Sequence, residues 1–453
     1  MGPHSEADRR EDHTLVSERP AHASIAGSGL AIGASTAVRL ATGLAIGIIV
    51  ARMLGPGAKG ELALLQQLPA IAALLSALGF DAAHGYFVGR HRRDAAAAVS
   101  DSVVHALIAG PVSVPALVLV MRLLVPALAE VPPATLVIAA SAAPVLVLAS
   151  LLGGVLTGQG RLGRQALAGG LAASASLVVV ASLALSGRLT LAAVVGAGLL
   201  GAVVSAVTSL IATGARTPVR PSRSRIAERW GYARRSYVQS VTGYLELRQD
   251  IVLLGILGPA AGVGLYSVGA SVAELLFYLP QVLASALTAR ALQEDAAEGA
   301  AITASITRLL VAALVVMAGV VAVIARPLVT GVFGAQFAPA ASVVWLLLPG
   351  IVIWGVASQS GAYLASHGRL FPKVSTATLL LNLALNLALI PVLGIQGAAI
   401  STSISYAASS LYILRTFLVT TGTRTRDLVR LRRADLALAA AAVSALGSRL
   451  RRR

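Results

Sequence analysis

The chain has 453 residues, of which 57% are hydrophobic and only 12% charged, with a mean hydropathy of +0.82. A soluble domain carries about a quarter of charged residues, so the composition is that of an integral membrane protein. Cysteine is absent, which excludes a disulfide framework, a thiolate metal site and a cysteine nucleophile. The formal charge of +17 falls in short clusters between long apolar runs. That pattern orients helices in a bilayer rather than binding nucleic acid.

In chain order, residues 1–26 are polar, carry both signs of charge and read as a disordered cytoplasmic tail rather than a cleaved signal peptide. Apolar spans follow near residues 27–54, 62–88, 99–119, 134–157, 165–185 and 189–212, each close to the ~20 residues that cross the hydrocarbon core. Residues 213–235 form a basic linker with seven arginines against the single Glu228. Six more spans are expected near 236–257, 263–289, 302–325, 340–365, 374–392 and 398–419. Residues 421–453 form a basic tail whose stretch Leu436 to Gly447 is too short to span and suits an interfacial helix on membrane lipids.

Loop charge tests the count. With a cytoplasmic N-terminus, inner loops hold Arg90, Arg92, Arg93, Arg161, Arg164, the seven-arginine linker, Arg290, Arg369, Lys373 and the tail. Outer loops hold only Lys59, Arg122, Arg188 and Arg326. Positive residues concentrate on the cytoplasmic side of membrane proteins, so both termini are expected to be cytoplasmic.

An internal repeat divides the chain. Leu54-Gly55-Pro56 after span one returns as Leu257-Gly258-Pro259 after span seven, and the Leu-Pro step at 68–69 returns at 279–280. Six spans separate the copies, so the halves run parallel. The expectation is an all-α polytopic membrane protein of about twelve transmembrane helices in two six-helix lobes, 27–212 and 236–420. A binding site would lie between the lobes.

Charges inside the spans are the candidates for chemistry, because each costs ~3 kcal/mol at a helix centre. Glu246, Arg248 and Asp250 lie near the middle of span seven, Glu274 at similar depth in span eight, and Arg39 and Arg308 in the inner halves of spans one and nine. At 100° per residue Glu246 and Asp250 share a face that Arg248 opposes, so all three cannot line one narrow cavity. An Arg248–Glu274 ion pair is the structural alternative to a ligand site. Asp101 and His105 share a helix face where capping outweighs metal binding, and Asn382 and Asn386 suit interhelical hydrogen bonds. Outer acids such as Glu61 and Glu130 are isolated, so no catalytic pair is visible.

The stretches ARMLGPGAKGELALL, LSALGFDAAHGYFVGR, RQDIVLLGILGPAAGVGLYSVG, VFGAQFAPA, YLASHGRLFPK and LNLALNLALIPVLGIQGAAISTSISY together resemble the polysaccharide flippases of the multidrug/oligosaccharidyl-lipid/polysaccharide exporter superfamily. The resemblance covers most of residues 27–420; the long polar N-terminus and the arginine-dense tail depart from it. It implies a V-shaped transporter that is not an enzyme, needs no cofactor or metal, and moves a polyprenyl-pyrophosphate-linked oligosaccharide from the inner to the outer leaflet of the plasma membrane by alternating access. It implies cavity arginines at Arg39 and Arg248, with Arg52 and Arg290 nearer the mouths and Arg308 as a further substrate contact. An H⁺ or Na⁺ coupling ion would use Asp250, then Glu274 or Glu246, and glycan-assembly proteins are candidate partners. A drug or cation antiporter of the same superfamily would want an acidic cavity, and a membrane-embedded glycan-processing enzyme would want outer acidic pairs.

Overall fold

The computed structural model describes residues 25–91, 94–215, 219–281, 296–366, 372–429, 432 and 435. Helices account for its regular structure: α1 (Ile25–Ala77), α2 (Phe80–Arg90), α3 (Ala95–Leu124), α4 (Pro133–Gly158), α5 (Leu162–Leu185), α6 (Leu191–Thr213), α7 (Arg223–Leu257), α8 (Ala260–Ala273, prolonged by a tighter turn over Glu274–Phe277), α9 (Ala296–Phe333), α10 (Ala340–Ser366), α11 (Pro372–Leu393), α12 (Ile395–Thr421) and α13 (Arg426–Val429). Among the described residues nine helical stretches are long and apolar enough to cross a membrane. The chain is a multi-pass membrane protein.

Local chemistry explains the breaks. Gly55 adopts φ 83°, ψ −177°, a backbone conformation that a residue with a Cβ resists, and it divides α1 into two helices. Spans one and two are therefore separate helices that meet at this sharp bend. Gly258, its counterpart in the repeat, is extended at φ −147°, so the shared tripeptide makes two different turns. Pro133 and Pro372 start helices where their missing N–H costs nothing, and Thr190 caps α6 by accepting from the Ala193 N–H at 3.2 Å.

Span two breaks inside its expected range, and one expected boundary moves. Span two continues through α2 after a break at Leu78–Gly79, where both residues have positive φ. α7 begins at Arg223, so much of the expected linker is the first part of a long helix that packs against α2. Tyr232 stacks on Tyr86 and Trp230 on Phe80 at that contact. The expected helix at 436–447 lies outside the described residues.

The halves share one packing scheme. In the first, α1 packs on α5, α5 on α6, α6 on α4, and α4 on α2 and α3. In the second, α7 packs on α11, α11 on α12, α12 on α10, and α10 on α8 and α9. Repeat-related helices thus meet repeat-related neighbours, as parallel lobes require.

The lobes meet closely at the end that carries the Gly55 and Gly258 turns. A Cβ on Gly60 would lie 1.8 Å from the Ala260 carbonyl oxygen, and one on Gly264 would lie 2.0 Å from that of Pro56. Only glycine permits that backbone approach between α1 and α8. Arg52 adds donations to the Gly331 carbonyl and, at 2.7 Å, to the Val332 carbonyl. Gln336 Nε2 donates to the Ala51 carbonyl at 3.1 Å.

A second fastening ties the chain's end to the second lobe. Arg308 of α9 is buried and binds both Asp435 carboxylate oxygens at 2.7 Å, while also donating to the Asp427 carbonyl at 2.6 Å. Ser305 donates to the same carboxylate. Leu428 packs beside Tyr363, Leu364 and Phe417. The Arg308 hydrogen bonds hold the Asp435 carboxyl well below the usual carboxylate range. Stability drawn from a depressed carboxyl is complete above its unfolded value and disappears as pH falls through the folded one. Docking of Asp427, Leu428 and Asp435 should therefore hold through the ordinary carboxylate range and fail only in stronger acid. Asp435→Asn should lower stability by about 3 kcal/mol, the cost of stranding a buried partner, and flatten that acid limb; thermal unfolding against pH reads both.

Candidate functional site

The charged run of α7 separates into two environments. Arg248 reaches α8 and binds Glu274 in a fork, Nη1 to Oε1 at 3.0 Å and Nη2 to Oε2 at 3.3 Å. The two side chains remain 34% and 26% exposed, so a second ligand can approach the pair. Arg39 is exposed and makes no ion pair among the described residues. It contributes to two adjoining cavities of 210 and 370 Å³ inside the first lobe, walled by small residues that include Gly169, Ser176 and Gly198.

Asp250 faces the other way. It is 7% exposed and accepts from the Tyr266 hydroxyl and, at 2.8 Å, from the Ile251 N–H. Thr402 accepts from Asn382 Nδ2 at 3.4 Å. Gln249 Nε2 donates to Asn382 Oδ1 at 2.6 Å, and Asn386 Nδ2 donates to the same oxygen at 2.8 Å. The result is a buried polar cluster joining α7 to α8 through Asp250 and to α11 and α12 through Gln249 and Asn382. Buried Asn386 Oδ1 has no hydrogen-bond partner among the described residues. Glu246 is half-buried and makes no hydrogen bond or ion pair among them.

The remaining sequence candidates lie elsewhere. Arg52 grips the last turn of α9 at the closed end, and Arg308 is wholly engaged by the C-terminal segment, so neither joins Arg248. Arg290 lies outside the described residues. Asp101 is an ion-pair partner rather than a cap: Arg229 binds it at 2.8 Å and Arg225 lies 3.6 Å away. Tyr266 and Thr402 were not legible as site residues, because a hydroxyl in an apolar helix bonds its own backbone as readily as a distant acid.

A family model described as "Polysaccharide biosynthesis protein" matches residues 49–342. The chain belongs to that family. It is 26% identical over 199 residues to the probable low-salt glycan biosynthesis flippase Agl15 of Haloferax volcanii, an alignment covering 42% of each protein. The fold resembles the inward-facing conformation of a multidrug resistance MATE family transporter of the MOP superfamily, with TM-score 0.69 and 17% identity over 85% of this chain and 94% of that one. It resembles the lipid II flippase MurJ in its inward closed conformation equally, with TM-score 0.69 and 12% identity over 88% and 89%. The polysaccharide-family chain thus has a transporter fold, and these relatives are flippases and transporters rather than enzymes.

A double-mutant cycle separates the pair's energy from its use. Arg248→Met or Glu274→Gln alone should destabilise the protein, and the combination should recover part of the loss, with a coupling energy of about 1–3 kcal/mol. Thermal unfolding of the purified variants measures it.

Proposed function

We propose that this polysaccharide-family protein is a flippase that carries a polyprenyl-diphosphate-linked oligosaccharide from the inner to the outer leaflet of the plasma membrane. The observation that carries the reading is the accessible Arg248–Glu274 fork in the second lobe, accompanied by exposed Arg39 in the first. A diphosphate leaving water needs fixed positive charge, and guanidinium forks match paired phosphate oxygens. Glu274 keeps Arg248 oriented and compensated while the site is empty. On arrival the diphosphate takes over the fork's donors, and the small-walled cavity beside Arg39 leaves space for sugar hydroxyls. Residues 27–212 and 236–420 act as the two rocking bodies, and closure at the Gly55 end leaves the cleft approachable from the arginine-rich end, which is cytoplasmic in this reading along with both termini.

Asp250 is the coupling acid in the same reading. Its network supplies oxygens from Asp250, Asn386, Thr402 and Tyr266 between four helices, and discontinuous or polar helix segments are where transporters bind H⁺ or Na⁺. Glu274 is less suited, since Arg248 already neutralises it. The competing reading, a drug or cation antiporter, is favoured only by that same buried acid.

Deleting the gene should leave a lipid-linked glycan on the cytoplasmic leaflet and deplete the surface polysaccharide. Arg39→Ala and the stable Arg248→Met/Glu274→Gln double variant should each fail to complement, whereas Asp250→Asn should lose most transport with substrate binding intact. Normal surface glycan together with drug sensitivity in the deletion strain would establish the antiporter instead. Full activity of the double variant would make the fork purely structural.

A further inference from the structure

Outside the central cleft, a largely apolar slot of 710 Å³ lies between the second part of α1, α3 and the start of α7. Its walls include Ile71 and Leu75 of α1 and Ile108, Val112 and Ala116 of α3, with Asp101 at one end. The sequence accounts for the gap. Pro111 and Pro115 interrupt the hydrogen-bond ladder of α3, and alanines at 72, 109 and 116 line the slot where longer side chains would fill it. Ile108 and Val112 are 66% and 69% exposed, so the slot opens sideways.

Its length and its charge select the occupant. From Asp101 to Val120 the α3 wall runs about 28 Å at ~1.5 Å per residue, nearly the ~30 Å of the whole hydrocarbon core. A phospholipid acyl chain anchored at one interface reaches about half that depth, whereas a long isoprenoid reaches all of it. At the Asp101 end the carboxylate is neutralised by Arg229, and Arg220 and Arg223 are exposed beside a partly exposed Arg225. Pro221 and Ile226, neighbours of those arginines, wall the slot itself. A cationic rim thus sits over a long apolar channel.

We propose that this slot holds the polyisoprenoid chain of the lipid-linked substrate, with its diphosphate entering against Arg220, Arg223 and Arg225. The inference rests on the flippase reading and adds a chain-binding site separate from the Arg39 and Arg248 cleft. The chain lies along α3 while the head group exchanges between the rim and the cleft.

The test uses the full-length protein in nanodiscs of phosphatidylglycerol and phosphatidylethanolamine, with a glycan-free polyprenyl diphosphate carrying a diazirine along its chain. Crosslinks should map to residues 71–75 and 108–116. Unlabelled polyprenyl diphosphate should compete, and Ala116→Trp should lower labelling at least tenfold. Ile108→Trp, on the exposed lip, provides a second obstruction if the first variant does not fold. Arg223→Glu should weaken labelling severalfold. Labelling confined to peptides around Arg39 and Arg248 would sink the slot and leave the flippase standing. Labelling of the slot by a diazirine phospholipid that polyprenyl diphosphate cannot displace would make it an ordinary lipid groove. Absence of label from the whole protein would overturn the flippase reading as well.

Discussion

An arginine that enters an apolar helix needs a compensating group or water, because a bare cation in hydrocarbon costs several kcal/mol; Arg39 stays exposed, and several others are compensated by the protein. The compensating group comes from far along the chain: Arg248 meets Glu274, Arg229 meets Asp101, and Arg308 meets Asp435. Arg52 meets the carbonyls that close α9. Charge demand therefore selects tertiary contacts. It fastens α7 to α8, α7 to α3, the C-terminal segment to α9, and the first lobe to the second.

These pairs differ in what water or ligand can still reach. Arg229 and Arg308 are nearly enclosed, so their role is to hold segments together. The Arg248–Glu274 fork is open enough to exchange one partner for another. Openness, rather than charge, distinguishes the Arg248–Glu274 pair from the other two. Backbone contact at Gly60 and Gly264 acts with Arg52 to hold the two lobes together at one end.

Much of the architecture was legible in sequence. Span lengths, the repeated Leu-Gly-Pro tripeptide and the positions of the arginine clusters gave the lobes and the helix order. Boundaries at the linker were not, since arginines from 223 onward look like loop charge until α2 provides aromatic partners for Trp230 and Tyr232. The alternative ion pairing of Arg248 with Glu274 was visible as a match of depth. Which of Glu246, Arg248 and Asp250 turns to which neighbour was not, because a helical wheel gives relative angles and no absolute rotation. Arg308 shows the same limit: its depth suggested a cavity, and a carboxylate 127 residues away took it instead.

The sequence by itself determined the membrane setting, the parallel repeat and the list of charges that must be satisfied, since all three follow from hydropathy, period and composition. Tertiary structure alone decided which charges pair, at which end the lobes meet closely, and where the apolar slot lies along α3. Those outcomes depend on helix rotation and on backbone approach at Gly60 and Gly264, and neither is encoded in any short stretch of residues.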